Sequence, residues 1–317
     1  MDQQETRVED LWFSNDTLVI RAEKKLFRVS KSLLAARSSV FRDMVAFPQP
    51  SADTELIDGS PVVSLHNSAA DVEFLLRAIF DSSYFMPPPE CVRLDVVLGI
   101  LRLSHKYDIE YLRRRALSHL SPGYYFTSVE QYRARTMANI LYNSDNRTLD
   151  HLSLIEAATE VGALWLLPIA YYCASVTGSD TLGGMIESGN SGRSVHKCGT
   201  TLPDLILGNV SVSRFLSMPS TGECQHEEAC NQFRFLVLSN VFFEQINLGS
   251  LVFPLEFWDE AMWRVMGTKM CSPCHNASRA SHTAALEAFW DRLPTMYGLP
   301  PWTELETMRS VTMGEST

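Results

Sequence analysis

Two short segments in the last third of the chain carry cysteine and histidine at the spacing of metal ligands. They read Cys224-x-His226-x3-Cys230 and Cys271-x2-Cys274-His275. If residues 227–235 are helical, His226 and Cys230 lie one turn apart on one face. Thiolate and imidazole groups so placed suit tetrahedral zinc. We therefore predict a structural zinc that joins two helical hairpins, and its candidate ligands are Cys224, His226, Cys230, Cys271, Cys274 and His275.

The alternative is that these cysteines are free thiols. About forty residues separate the two segments, which is long for a compact zinc finger. Cysteine is also commonly a small buried hydrophobic residue. The chain has seven cysteines, and in a reducing compartment an odd count favours thiols or metal ligands over a disulfide framework. Both interpretations stay open on the sequence alone.

Other signatures of catalysis are missing from the sequence. It contains no G-x-S-x-G nucleophile turn and no G-x4-G-K-[ST] phosphate loop. We therefore predict a non-enzyme with no catalytic residues and no cofactor other than the zinc. An alternative from another class is a zinc-dependent hydrolase or ligand-binding module in the C-terminal half. It requires an open coordination position and a neighbouring carboxylate such as Glu223, Glu227 or Glu228.

The elements that precede these segments begin with a β-hairpin. Residues 17–22 and 26–29 are rich in β-branched and aromatic side chains and are separated by Glu23-Lys24. Residues 62–65 predict a third strand. Ser30 is placed to cap a helix over residues 31–36, and Ser38 or Ser39 to cap the next one. Ser68 is placed to cap a further helix that runs through residues 72–80. A helical pair is predicted over residues 92–103 and 109–120.

Two stretches within this region resemble the BTB/POZ domain. They are Leu33–Phe41, which reads LLAARSSVF, and Leu103–Leu112, which reads LSHKYDIEYL. The order of hairpin, two helices, strand and helices is also the order of that family. The resemblance implies an α+β BTB/POZ domain over residues 8–122, followed by a mostly α-helical C-terminal region over residues 123–317. Ser30 departs from the family, many of whose members carry histidine after the second strand.

The C-terminal region carries weaker similarities. Leu152–Tyr172 and Gly298–Trp302 are similar to segments of a large group of fungal BTB proteins, for which no biochemical activity can be carried over. A Gly/Ser-rich stretch at about residues 177–199 predicts an exposed loop between helices. An aromatic stripe predicts core, and its members are Phe233, Phe235, Phe242, Phe243, Phe253, Phe257, Trp258 and Trp263.

The BTB resemblance implies a non-covalent function, as an adaptor or scaffold that binds other proteins. One route is substrate adaptor of a cullin-type ubiquitin ligase, although the hydrophobic-x-acidic triplet expected after the Val40–Val45 helix is replaced by Met44-Val45-Ala46-Phe47 before Pro48. The other is scaffolding, with another BTB protein as one candidate partner. Many dimeric BTB domains exchange an extra strand and helix that precede the core. The resemblance therefore disfavours a domain-swapped BTB dimer, because only Met1–Glu9 precede Asp10. The predicted partner-binding residues are Leu11, Trp12, Phe13, Phe41, Met44 and Val45.

Charge and hydropathy exclude several other classes. The chain carries 27 Lys+Arg against 37 Asp+Glu, a net charge of -10, so a nucleic-acid partner is not expected. The N-terminal residues lack the basic and apolar regions of a secretory signal, and we expect an intracellular protein of the cytoplasm or nucleus. The longest near-apolar stretch, residues 161–174, is shorter than the ~18–20 residues of a membrane span, so it predicts a buried helix and no membrane partner.

Overall fold

The computed structural model describes residues 5–46, 55–135, 139–142, 146–177, 179–189, 192–248, 253–256 and 258–315. The chain divides into two compact units. The N-terminal unit comprises Met1–Gly123, Met137–Asp145 and Ala157–Gly162, and the C-terminal unit comprises Tyr124–Thr136, Asn146–Glu156 and Ala163–Thr317. We describe each unit by itself.

A mixed five-stranded sheet lies in the N-terminal unit. Its strands are β1 (Thr6–Trp12), β2 (Thr17–Ala22), β3 (Lys25–Ser30), β4 (Leu56–Ile57) and β5 (Ser60–Leu65), in the order β1-β3-β2-β5-β4. The predicted hairpin is confirmed, because β2 and β3 pair antiparallel from Thr17↔Ser30 to Ala22↔Lys25. β5 joins β2 in parallel. The core face of the sheet is apolar and fully buried, as at Ile20 and Phe27.

The first strand, β1, was not predicted. It pairs in parallel with β3 at the edge of the sheet, and its register shifts between Arg7 and Trp12. Leu11 is its one buried residue. An edge strand with little burial does not need the alternation of apolar and polar residues by which strands are recognised.

Five helices complete the N-terminal unit, and the last of them continues into the C-terminal unit. They are α1 (Lys31–Arg37), α2 (Ser39–Ala46), α3 (Ala69–Phe80), α4 (Leu94–Lys106) and α5 (Glu110–Tyr124). Serine caps start three of them, since the side chains of Ser30, Ser38 and Ser68 accept hydrogen bonds from backbone N–H groups three residues further on. Two short strands, β6 (Val92–Arg93) and β7 (Ile140–Leu141), pair in parallel.

The C-terminal unit is helical, as predicted. Its helices are α6 (Val129–Arg133), α7 (Arg147–Glu160), α8 (Leu167–Thr177), α9 (Ser179–Glu187), α10 (Arg193–Ser213), α11 (Glu227–Leu248), α12 (Glu260–Lys269), α13 (Ser272–Met296) and α14 (Trp302–Met313). Part of α7 belongs to the N-terminal unit. Short 3-10 turns occupy Leu164–Leu166 and Arg214–Ser217.

The apolar stretch over residues 161–174 is not one continuous helix. Gly162 takes a left-handed φ of +72° just after α7, a conformation that ends helices and that glycine adopts without a Cβ clash. A 3-10 turn and then α8 follow, and most of α8 is buried. Within the described residues, no helix combines the length and the apolar character that crossing a membrane requires.

The loop predicted at about residues 177–199 is wrong over most of its length. Helix α9 lies within that stretch, and α10 begins at Arg193; residues 178, 190 and 191 lie outside the described part. Leu182 of α9 is buried, and Ile186 of α9 approaches Gly199 of α10. Burial of one apolar face against α10 thus overrides the low helix propensity of glycine and serine.

The aromatic stripe predicted as core is only partly buried. Trp258 and Trp263 are buried and pack edge-on against each other and around Phe215. The prediction is wrong for Phe235, which is 70% exposed on α11, and Phe233 is half-buried. Phe253 is half-buried as well. The side chains of the other members, Phe242, Phe243 and Phe257, lie outside the described residues.

Close approach of α10 and α13 at Gly208 allows a sharp test of this packing. A Cβ atom at Gly208 would lie 2.5 Å from the Phe289 ring. Gly208→Ala should therefore destabilise the chain by about 1–3 kcal/mol through overpacking. Gly183→Ala in α9, where nothing lies within 4 Å, should instead stabilise it by up to about 1 kcal/mol. Urea unfolding of both variants measures the difference, and equal effects would contradict this packing.

Histidine 282 makes the stability of the C-terminal unit sensitive to acid. Burial, together with the nearby charge of Arg133, lowers the pKa of His282 to about 4; its Nδ1 lies 2.9 Å from the carbonyl oxygen of Val212. The unfolded imidazole has a pKa of about 6.5, so the unfolded state binds the proton first as pH falls, and stability is lost between about pH 6.5 and pH 4.

We expect His282 to lower the free energy of unfolding by about 2 kcal/mol when the pH falls from 7 to 5. Urea titrations at the two pH values should show that slope in the parent chain and a shallower one in His282→Asn. Other acid-sensitive groups act in both proteins and cancel in the difference. Identical slopes would show that His282 is not the group responsible.

Candidate functional site

Four cysteines from the two predicted segments come together in the C-terminal unit. The Sγ atoms of Cys224, Cys230, Cys271 and Cys274 all lie within 4.8 Å of one another. The Sγ of Cys271 is 3.7 Å from the Sγ of Cys230 and 3.7 Å from that of Cys224. All seven cysteines of the chain are free. This four-cysteine cluster can hold a metal ion.

The N-terminus of α13 supplies two of the four thiols. Cys271 is the N-cap of α13 and Cys274 lies in the first turn of that helix, with Pro273 between them at a position that favours helix initiation. The intervening two residues bring both Sγ atoms to the same end of the helix.

The other pair lies at the start of α11. Cys230 lies in the first turns of the helix, where its N–H donates to the carbonyl of His226 at 3.0 Å. Cys224 lies in the segment just before α11, and its own N–H donates to the carbonyl of Thr221. Both pairs therefore lie near helix N-termini, where the helix dipole favours negative charge.

Hydrogen bonds to sulfur are already in place around the cluster. The N–H of Cys271 donates to the Sγ of Cys230 at 3.4 Å, and the hydroxyl of Thr221 lies 3.7 Å from the Sγ of Cys274. Backbone N–H groups of Cys274 and Gln225 lower the pKa of the Cys271 thiol to about 6. The site therefore favours a thiolate at Cys271 near neutral pH.

The two histidines proposed as ligands lie outside the cluster. His226 is exposed, beside Glu227, Glu228 and Gln232. The Nε2 of His275 lies 3.1 Å from the carbonyl oxygen of Trp263, and its ring packs edge-on against that indole. His275 directly follows Cys274 in α13 and so points to a different side of that helix, and His226 lies just before α11 rather than within it. Thr221, which contacts Cys274, was missed because no motif marks it.

A second set of candidate residues lies on the N-terminal unit around α2. The prediction that Phe41 binds a partner is wrong, because its side chain is fully buried and stacks on Tyr107 with ring centroids 4.6 Å apart. Ser38 also contacts Tyr107, since its hydroxyl donates to the backbone carbonyl of that residue. On the same helix, Val40 and Val45 are exposed and Met44 is half-buried. Phe47 and Pro48, which bear on the missing acidic triplet, lie outside the described residues.

The predicted partner-binding residues at the end of β1, Leu11 to Phe13, also differ in their exposure. Leu11 is buried, so its assignment as a partner-binding residue is also wrong. Trp12 is half-buried under the guanidinium of Arg7, and Phe13 is exposed with its ring 5.2 Å from that of Phe80. Period-two alternation in the strand places Leu11 on the core face.

Beside α2 lies an open cleft that the sequence did not indicate. It is lined by Ala36, Arg37, Asp108, Glu110, Tyr111 and Arg114. The exposed Tyr111 ring lies near the guanidinium groups of Arg37 and Arg115, and the hydroxyl of Ser39 donates to Asp108, which joins the cleft to α2. We call Val40, Met44 and Val45 with this cleft the α2 surface.

A third group of titratable side chains serves packing. Tyr132 and Tyr172 both donate hydrogen bonds to the carboxylate of Glu256, which also pairs with Arg135. Burial raises the pKa of the neighbouring Cys173 thiol to about 12, so it is protonated at neutral pH and a poor nucleophile. The hydrogen bonds from Tyr132 and Tyr172 hold the segment that contains Glu256 against α6 and α8.

Comparison with known proteins identifies the fold of the N-terminal unit. Residues 8–122 match the family model of the BTB/POZ domain. The resemblance carried by residues 33–41 and 103–112 is thereby confirmed, and the strand and helix order described above is the α+β arrangement that it implied. No curated protein matches the chain.

Proposed function

We propose that this chain, whose residues 8–122 are a BTB/POZ domain, is a non-enzymatic adaptor or scaffold that binds other proteins. The domain is a protein-interaction module, and that single finding carries the proposal. The α2 surface supports it, because tyrosine and arginine are enriched in protein interfaces and the Tyr111 ring lies near two arginines at an exposed cleft.

The geometry favours binding over catalysis. Cys173 is protonated by burial, His282 is held by the Val212 carbonyl, and Tyr132 and Tyr172 are engaged with Glu256. A zinc-dependent hydrolase would keep an open metal position, whereas four thiols converge in the four-cysteine cluster and Glu223, Glu227 and Glu228 are exposed. The hydrolase alternative therefore ranks below the adaptor.

Cullin binding is the specific version of the adaptor role. BTB adaptors of that class use the region that corresponds to α2, and Val40 and Met44 lie one turn apart there with exposed or half-exposed apolar side chains. The absence of the acidic triplet after Val45 argues against this version. Scaffolding through another BTB protein is the competing one.

The adaptor proposal is tested by native affinity purification of the tagged full-length chain, followed by mass spectrometry. The double variant Val40→Glu/Met44→Glu should lose partners that the parent chain retains, because two charges are placed in the α2 surface. Leu56→Glu is the matched control, since Leu56 is 61% exposed on β4 in the same unit. A cullin among the lost partners would establish the ligase version. Equal recovery with all three proteins would refute binding through α2.

Metal binding by the C-terminal unit is a second proposed function. Four Sγ atoms within 4.8 Å of one another are the observation that favours it. Elemental analysis of the purified full-length chain tests it, with about one metal ion per chain expected and none contradicting it.

A further inference from the structure

We propose that Cys224, Cys230, Cys271 and Cys274 form a closed four-thiolate zinc site, with neither His226 nor His275 as a ligand. The inference rests on the proposed metal binding and deepens it by naming the ion, the ligand set and the role. It is independent of the partner-binding function of the BTB/POZ domain.

Distances between the sulfur atoms fit one tetrahedral ion. Zinc–sulfur bonds of about 2.3 Å place the corners of a regular tetrahedron about 3.8 Å apart. The two edges that run from Cys271 to Cys230 and to Cys224 are 3.7 Å long, and no sulfur pair exceeds 4.8 Å. A multinuclear iron–sulfur cluster has inorganic atoms between its thiolates and needs a wider cage. The cage therefore fits a mononuclear ion.

The surroundings of the cluster compensate the charge of such a site. Four thiolates around a divalent cation carry a net charge of -2, which needs donors and positive dipoles nearby. The N-termini of α11 and α13 provide the dipoles. The N–H of Cys271 and the hydroxyl of Thr221 contact the sulfurs of Cys230 and Cys274, and the N–H of His226 is directed to Cys224.

This arrangement gives the ion a structural role. Four protein ligands leave no position for water or substrate, as in closed structural sites. The ligands come from two places separated by about forty residues, with α12 packed between α11 and α13. Zinc would therefore cross-link the starts of these two helices, which are distant in the sequence.

The experiment combines metal content with cobalt spectroscopy on the full-length chain. Elemental analysis should find about one zinc per chain. Replacement of the metal by Co²⁺ should give sulfur-to-cobalt charge-transfer absorption and the visible band pattern of a tetrahedral four-thiolate site. The spectrum reports the ligand set of the intact chain, so it remains informative even if a cysteine variant fails to fold.

Substitutions assign the ligands residue by residue. Cys271→Ser and Cys230→Ser should each lower zinc content at least tenfold after dialysis against a weak chelator. His226→Ala should keep the zinc content and the cobalt spectrum unchanged. Cys91→Ser is the matched control, because Cys91 is an exposed free thiol of the N-terminal unit.

The outcomes separate this inference from the proposal on which it rests. A cobalt spectrum with nitrogen ligands, or its change in His226→Ala, would overturn the four-thiolate site while metal binding stands. One iron per chain in place of zinc would also overturn the inference. A metal-free chain, with thiols or disulfides at the four positions, would overturn both.

Discussion

Removal of the proposed zinc from the full-length chain is expected to loosen the starts of α11 and α13 and to leave the BTB/POZ domain folded. Structural zinc contributes an apparent binding free energy of about 10–16 kcal/mol in small zinc-binding peptides. The helical unit also has an apolar core built around residues such as Phe215 and Trp263. We therefore expect partial loss of stability, with the midpoint of thermal unfolding of this unit lowered by about 10–20 °C.

Hydrogen exchange with mass spectrometry, measured before and after chelation, tests this expectation. Peptides over residues 221–230 and 271–275 should exchange faster without metal, and peptides over the β2–β3 hairpin should not change. Zinc should restore the original protection and magnesium should not. Unchanged exchange around the four cysteines after verified metal removal would contradict the structural role.

Phe41→Ala should be the most damaging single substitution around the α2 surface. The ring is fully buried, and it stacks on Tyr107, so its truncation leaves a cavity that costs about 3–5 kcal/mol. Val45→Ala, one turn further along α2 and 38% exposed, should change the free energy of unfolding by less than about 0.5 kcal/mol. Urea unfolding followed by far-ultraviolet circular dichroism measures both.

The comparison separates a core role of Phe41 from a partner-binding role. Similar small effects of the two substitutions would show that Phe41 is not in the core. The large effect predicted for Phe41→Ala also makes that variant unsuitable for binding assays, because lost binding would then reflect unfolding. Val40 and Met44 are the residues that probe the α2 surface itself.

Local signals predicted much of the N-terminal fold. The β2–β3 hairpin followed from two β-branched runs and a two-residue break, and the helix starts at Ser30 and Ser68 followed from capping. The edge strand β1 was missed because its residues are mostly exposed. Long-range pairing with β3, which the local sequence does not encode, determines that strand.

In the C-terminal unit, tertiary packing overrode local composition. Glycine and serine predicted a loop over α9, yet burial of Leu182 against neighbouring helices stabilises a helix there. Conversely, Phe235 looked like a core residue and is exposed on α11. Composition gives the apolar character of a residue but does not say whether a neighbouring element covers it.

The candidate metal site was predicted in outline and refined by geometry. Cysteine spacing identified all four residues that come together, because pairs of cysteines a few residues apart are typical of metal ligands. The same spacing also included His226 and His275, which point elsewhere. Which side chains converge depends on helix orientation, and only the three-dimensional structure supplies it.

The central proposal, that this chain is an adaptor which binds proteins through the α2 surface of its BTB/POZ domain, is tested most directly by equilibrium binding with purified components. The strongest partner from native purification would be titrated against the parent chain, Val40→Glu/Met44→Glu and Leu56→Glu. We predict that the double variant weakens binding at least about thirtyfold, equivalent to about 2 kcal/mol, while Leu56→Glu binds like the parent. Equal affinity for all three folded proteins would contradict the claim.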